Sequence, residues 1–133
     1  MLDRDEVLKI VDNAYALRVQ GDKAAIAEIW ADNATYGLGA DPSLLPRLPA
    51  GPSDAEPAVS DLIDLFTFHT VERVDAIVEG NRAAIVWNVE LSRAGGGERT
   101  TTQISQLWAM TDDGKVQSLR EYGDTALITR LLT

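Results

Sequence analysis

The sequence predicts an α+β fold in which helices gather on one face of a largely antiparallel sheet. Three observations carry this. The first thirty residues repeat their apolar side chains at helical spacing. From His69 onward the repeat changes to period two, the signature of strands with one buried face. Turn signals at Gly95-Gly96-Gly97 and Asp112-Asp113-Gly114 divide that second half into consecutive strands.

Each element follows from local chemistry. Residues 3–20 place Val7, Ile10, Val11, Ala14, Tyr15, Leu17 and Val19 on one helical face. Asp3 and Glu6 form an N-cap with its reciprocal partner, and Gly21 stops the helix. Asp22 caps a second helix expected to run through Trp30, with Ile26, Ile29 and Trp30 apolar, and Ala34 to Leu38 reads as a short strand. Residues 39–57 hold all 5 prolines of the chain and read as a long loop. Such loops are often lids, and Asp41 to Pro57 is expected to cover a pocket mouth. Helical spacing returns from Ala58 to Thr67 through Val59, Leu62, Ile63 and Phe66. Four strands follow, His69–Glu79, Ala83–Ser92, Arg99–Thr111 and Lys115–Tyr122, and Asp124 caps a last helix from Thr125 to Leu132.

Composition narrows the function classes. At 133 residues, the chain reads as one domain, 1–133, able to bury a core without staples. With no cysteine there is neither a disulfide nor a thiolate metal site, and the composition fits a reducing, cytoplasmic setting. A formal net charge of -9 opposes nucleic acid and anionic membranes as partners. The acidic start, Met1 to Glu6, is followed by no apolar run of signal-peptide or membrane-span length. His69 is the single histidine, so a histidine-rich metal centre is excluded and no metal or other cofactor is expected.

Three stretches carry a family resemblance. Gly21-Asp22 followed by Ile29-Trp30-Ala31-Asp32-Asn33-Ala34-Thr35-Tyr36 is similar to the opening of the nuclear-transport-factor-two-like superfamily. The strand run from Val71 to Ser92 is the second stretch. The third, Gly114-Lys115-Val116 and Arg120-Glu121-Tyr122-Gly123-Asp124, resembles the closing strand of limonene-1,2-epoxide hydrolases. The superfamily also includes steroid isomerases and SnoaL-like polyketide cyclases. The resemblance implies a strongly bent, mostly antiparallel mixed sheet wrapped with helices into a cone around a hydrophobic pocket, the cystatin-like roll. It also implies a homodimer, paired through the outer sheet face with Ile85, Trp87, Val89 and Leu107 masked.

Carried over residue by residue, the epoxide hydrolase pattern puts one catalytic acid at Glu121, the other at Glu90, and the water-positioning tyrosine at Tyr36. Asn88 stands at the position of the bridging arginine, and Leu38 at that of the water-positioning asparagine. In the steroid isomerase pattern the base position falls on Leu38, the acidic donor on Gln106, and Tyr15 lies beside the catalytic tyrosine. SnoaL-like cyclases use an acid where Glu121 stands, which leaves a single-acid mechanism open. Counting by twos puts Asn88 with Glu90 on one face, Thr102, Ile104, Gln106, Trp108 and Met110 on another, and Leu119 with Glu121 on a third.

The expected catalytic set is therefore Glu121, Glu90, Tyr36 and Asn88, with Tyr15, Trp30, Leu38, Gln106, Trp108 and Leu119 as pocket wall. Each has a plainer reading beside it. Glu90 and Glu121 can pair with Arg93, Arg99 or Arg120 on a wet face. Asn88 can satisfy Glu90, Gln106 can be a buried amide, the tryptophans can be core, and His69, which begins a strand and could reach the cavity mouth, can be simply exposed or hydrogen-bonded. Two function classes follow. One is a cofactor-free enzyme acting on a small apolar molecule by hydration, hydrolysis, cyclisation or isomerisation. The other is a non-catalytic binding or dimerisation module of the same fold.

Overall fold

The computed structural model describes residues 1–41, 43 and 53–133. Helix α1 spans Arg4–Gln20, its first turn closed by the reciprocal Asp3–Glu6 capping box. Gly21 ends it in the left-handed region at φ 71°, where a side chain would strain the backbone. Helix α2 is a single turn, Lys23–Ile26, capped by the Asp22 carboxylate on the Ala25 amide. It stops four residues short of Trp30 because the Ile29 carbonyl accepts a 2.9 Å bond from the Val116 amide and the chain turns into strand.

Strand β1 is Trp30–Leu38 and β2 is the short Ser53–Asp54. Helix α3, Ala55–Leu65, starts earlier than its periodicity indicates. Pro57 sits in its first turn, where the missing amide hydrogen has no helical partner to lose. Strands β3 (Phe66–Glu79), β4 (Arg82–Arg93), β5 (Thr100–Met110) and β6 (Val116–Tyr122) follow, and helix α4 occupies Thr125–Leu132. The proline-rich expectation thus divides. Residues 53–57 are strand and first helical turn, while residues 42 and 44–52 lie outside the described residues.

The six strands form one curled, open sheet in the order β2-β1-β6-β5-β4-β3. β3 to β6 are an antiparallel meander, and β1 joins β6 in parallel, Tyr36 beside Leu119 and Leu38 beside Glu121. The helices cover the concave face, so the sheet and helices enclose the core in the expected cone.

The inner face of β4 differs from expectation. Ala83, Ile85, Trp87, Val89 and Leu91 point into the core, and Asn88 and Glu90 point out. The reason is energetic. Burying each large apolar side chain is worth about 1.5–3 kcal/mol, and inverting the strand would expose four of them to bury an amide and a carboxylate. Ile85, Trp87 and Val89 are therefore unavailable to an outer-face dimer. Leu107, by contrast, does lie on the outer side, partly exposed.

Candidate functional site

The site starts from a break in an apolar stripe. Along α1, Val7, Val11, Ala14 and Tyr15 are buried at helical spacing, and the next position on that stripe is Arg18. Its guanidinium lies 5.7 Å from the Tyr15 ring centre and 5.4 Å from that of Phe68, two cation–π contacts. It is 8 % exposed, and its NH1 donates to Glu121 Oε2 at 2.6 Å.

Glu121 comes from the inner face of β6 and is 2 % exposed. Three side chains from three elements converge on it. Besides Arg18 of α1, the Tyr36 hydroxyl of β1 donates to Oε1 at 2.5 Å, and the Gln106 amide of β5 donates to Oε2 at 2.7 Å. The sheet register dictates these meetings. Gln106 stands opposite Glu121 across β5–β6, and the parallel β1–β6 pair sets Tyr36 one diagonal step away.

Gln106 is itself anchored. Its Oε1 accepts from the indole nitrogens of Trp87 at 2.6 Å and Trp108 at 2.9 Å. An indole N–H can only donate, so both must meet the amide oxygen, and the NH2 group is left facing the carboxylate. The result is a buried chain of two indoles, one amide, one carboxylate, one phenol and one guanidinium.

Electrostatics follow from that chain. Burial alone would raise the Glu121 pKa. The attraction of Arg18 and the hydrogen bonds from Tyr36, Arg18 and Gln106 outweigh it and hold the carboxyl below its ordinary value. Burial, followed by the nearby Glu121 charge, pushes the Tyr36 hydroxyl well above its ordinary value, so it stays a neutral donor. Tyr15 is raised chiefly by burial. Burial works against the Arg18 charge, but Glu121 more than offsets it and keeps the guanidinium protonated. Among the described residues, Arg18 Nε, the Tyr15 hydroxyl and, away from this cluster, the Trp30 indole nitrogen are buried without a hydrogen-bond partner.

Arg18, Tyr36 and Glu121 form the polar end of a cavity of about 40 Å³. Leu38, Leu62, Phe66, Phe68, Leu91 and Ile104 supply apolar wall, and Tyr122 to Asp124 with α4 close the other side. That volume holds a few waters and is far below the ~300–1,000 Å³ of a typical small-molecule site, so a ligand must displace wall side chains to enter. Among the described residues, no three acidic or histidine side chains gather as a metal-binding group.

The expected residues are distributed as follows. Glu121, Tyr36 and Leu38 line the cavity; Gln106, Trp108 and Tyr15 lie buried behind Glu121 and Leu119 is buried opposite Trp108, and none of these four is part of the cavity wall. Trp30 lies away from this cavity, at the opposite end of β1 from Leu38, in a surface cleft with Asn33, Asp54 and Glu56. Glu90 is on the outer face, bonded at 2.7 Å to Arg99, and so is not a cavity partner of Glu121. Asn88 is also outside, accepting at 2.8 Å from Gln103 directly opposite it. His69 lies within 2.9 Å of the Ser92 hydroxyl and does not line the cavity. Arg18 is the group that residue matching missed. Its signal was present in the sequence as a lone cation on the apolar stripe of α1, three residues after Tyr15.

The fold is shared with solved structures. No curated protein matches the chain significantly. Among solved structures, a nuclear-transport-factor-two-like protein of Burkholderia xenovorans is 19% identical, covers 100% of both chains and superposes with a TM-score of 0.76. TerC, crystallised with polyporic acid, is 15% identical over 96% of this chain and 98% of its own, with a TM-score of 0.75. The epoxide hydrolase/cyclase-like enzyme SalBIII, of pyran ring formation in salinomycin, is 18% identical over 95% and 96%, with a TM-score of 0.69. At these identities the likeness concerns the fold. The SnoaL-like domain model matches residues 11–119, from the middle of α1 to Leu119. That span takes in Arg18, Tyr36 and Gln106 and ends two residues before Glu121, and the chain belongs to the SnoaL-like domain family.

Proposed function

We propose that the chain binds a small, mostly apolar molecule in the cavity behind Glu121 and acts on it by cofactor-free acid–base chemistry. The observation that carries this is a carboxylate held ionised in the wall of an apolar cavity, with a neutral phenol and a guanidinium beside it. Glu121 is the proton acceptor. Arg18, which among the described residues uses only its NH1 on Glu121, supplies the donors that stabilise charge developing on a substrate oxygen, and the single Tyr36 O–H, bonded to Glu121 Oε1 at rest, turns to that oxygen once Glu121 has taken the proton. The chemical names of the fold neighbours, a ring-forming enzyme and a protein crystallised with polyporic acid, support a cyclisation, hydration or isomerisation of an oxygenated carbon skeleton.

A single-acid scheme fits better than the paired-acid scheme of epoxide hydrolases, because Glu90 lies on the outer face. A second reading is favoured by one feature. Three donors already occupy Glu121 and hold its pKa down, which weakens it as a base and suits a non-catalytic binding module. Turnover of small epoxides, enones and hydroxyquinones, measured with Glu121→Gln beside the unaltered chain, separates the two. Acid–base catalysis predicts a rate loss of about 10²–10⁴ with binding retained. A ligand that binds equally to both proteins, with no turnover by either, is the result the binding module predicts.

A further inference from the structure

We infer that Gln106 is a positioning residue that sets the ionisation and aim of Glu121, its amide locked in one orientation by the indoles of Trp87 and Trp108. The proposal rests on the reading of Glu121 as the working carboxylate and extends it to the groups that control it.

The geometry leaves little freedom. Gln106 is 1 % exposed and stands on β5 directly opposite Glu121 on β6. A lone buried glutamine can rotate its amide by half a turn and exchange donor for acceptor. Here a half-turn would set two donor-only indoles against an NH2 group and a carbonyl oxygen against a carboxylate. Three interactions would turn from attractive to repulsive in a buried place. The two indoles come from different strands, Trp87 from β4 and Trp108 from β5. The amide is thus gripped from two sides, and its N–H is delivered to Glu121 Oε2 beside the Arg18 bond to the same oxygen.

This arrangement favours the carboxylate over the carboxylic acid. A fixed N–H donor stabilises the anion and gives nothing to a protonated Oε2. It also divides labour between the two oxygens. Oε2 is held by Gln106 and Arg18, while among the described residues Oε1 has only the Tyr36 hydroxyl and keeps a lone pair for a substrate proton. The other charged or titratable groups facing Glu121 are Arg18 and Tyr15 of α1 and Tyr36 of β1, and Asp124 lines the same cavity.

A purely structural role would look different. If Gln106 only satisfied the indoles, its replacement would cost stability and leave Glu121 unchanged. The test therefore reads Glu121 directly, without substrate or turnover, so that it stands or falls apart from the enzyme reading. The side-chain carboxyl of Glu121 is followed by carbon-13 NMR against pH in the full chain, in Gln106→Met and in Gln106→Glu. Indole proton resonances of the three tryptophans are recorded in the same samples.

Losing one hydrogen bond to a charged group should raise the Glu121 midpoint by about one pH unit or more in Gln106→Met. Gln106→Glu keeps the indole partners but faces one carboxyl with another, and it should raise the midpoint further. In the unaltered chain, the indole signals of Trp87 and Trp108 should move as Glu121 titrates and should shift in Glu121→Gln, with Trp30 silent. A Glu121 midpoint unmoved in folded Gln106→Met would overturn the proposal. If that variant does not fold, the unaltered chain decides. Indole signals of Trp87 and Trp108 that ignore both the titration and Glu121→Gln refute the relay, and signals that follow Glu121 sustain it.

Discussion

Replacing Arg18 by methionine keeps an unbranched apolar stem on the buried stripe of α1 and removes the guanidinium that lies against Tyr15 and Phe68, with its charge. Arg18 and Glu121 are 8 % and 2 % exposed, so the carboxylate left behind is a buried, half-compensated ion. Breaking a pair of this kind costs about 3–5 kcal/mol. For 133 residues the entropy of unfolding is about 0.28 kcal/mol/K, so the midpoint of thermal unfolding should fall by roughly 10–18 °C.

The pH dependence gives a sharper test of the same substitution. In the unaltered chain the folded-state pKa of Glu121 lies below its unfolded value. The resulting stabilisation is present above the unfolded pKa and is lost as pH falls through the folded one. Without Arg18, burial dominates and the folded pKa rises above the unfolded value. The penalty then applies at neutral pH and is relieved in acid, so the two stability curves should converge between neutral pH and about pH 4. Urea unfolding monitored by tryptophan fluorescence across that range is the assay. The double variant Arg18→Met/Glu121→Gln removes both charges and should recover about 2 kcal/mol or more. A loss under about 1 kcal/mol, or one that does not change with pH, would mean that the pair is solvated and that the electrostatic account of the site is wrong.

Two further outcomes follow from the packing. Phe68→Ala deletes the ring that lies under Arg18 and forms part of the cavity wall; it should cost about 3–5 kcal/mol in unfolding free energy and leave room for an added ligand, measurable as ligand-dependent recovery of the thermal midpoint. We propose a homodimer that uses the outer sheet face around Ile77, Val86 and Leu107, where Ile77 is 67% exposed; Ile77→Asp should shift sedimentation at micromolar concentration from dimer to monomer, and an unaltered chain that sediments only as monomer counts against the pairing.

Much of the fold was legible because its signals are local. The Asp3–Glu6 box, Gly21, the three-glycine turn and Asp124 each act within a few residues, and each boundary fell where that chemistry puts it. The elements that moved were those decided by distant partners. Ile29 is drawn out of helix by an amide 87 residues away, at Val116. For β4 the alternation of Ile85, Trp87, Val89 and Leu91 marked the inner face, but matching Asn88 and Glu90 to a known catalytic pattern pointed the other way, and burial of large apolar groups decided it. Glu121 and Tyr36 entered by matching to the epoxide hydrolase pattern, and they meet Gln106 because the strand parity of all three turns them inward. Arg18 was missed because helix periodicity ranks residues by hydropathy, and a cation on an apolar stripe reads as noise until its partner is known.

The parallel seam between β1 and β6 carries a kinetic consequence. The meander β3 to β6 is built from neighbours in sequence and closes small loops, but Tyr36 and Arg18 reach Glu121 across 85 and 103 residues. Contacts of that span come at the largest entropic cost of loop closure and reward the chain only after the meander exists. The site is therefore the clasp of the fold rather than a feature mounted on it. A growing chain has no such site until Glu121 has been made. An opening that frees α1 or β1 dissolves the site while the meander stays paired, so amide exchange in β1 should be faster than in β4 and β5 and should slow most when the cavity is filled.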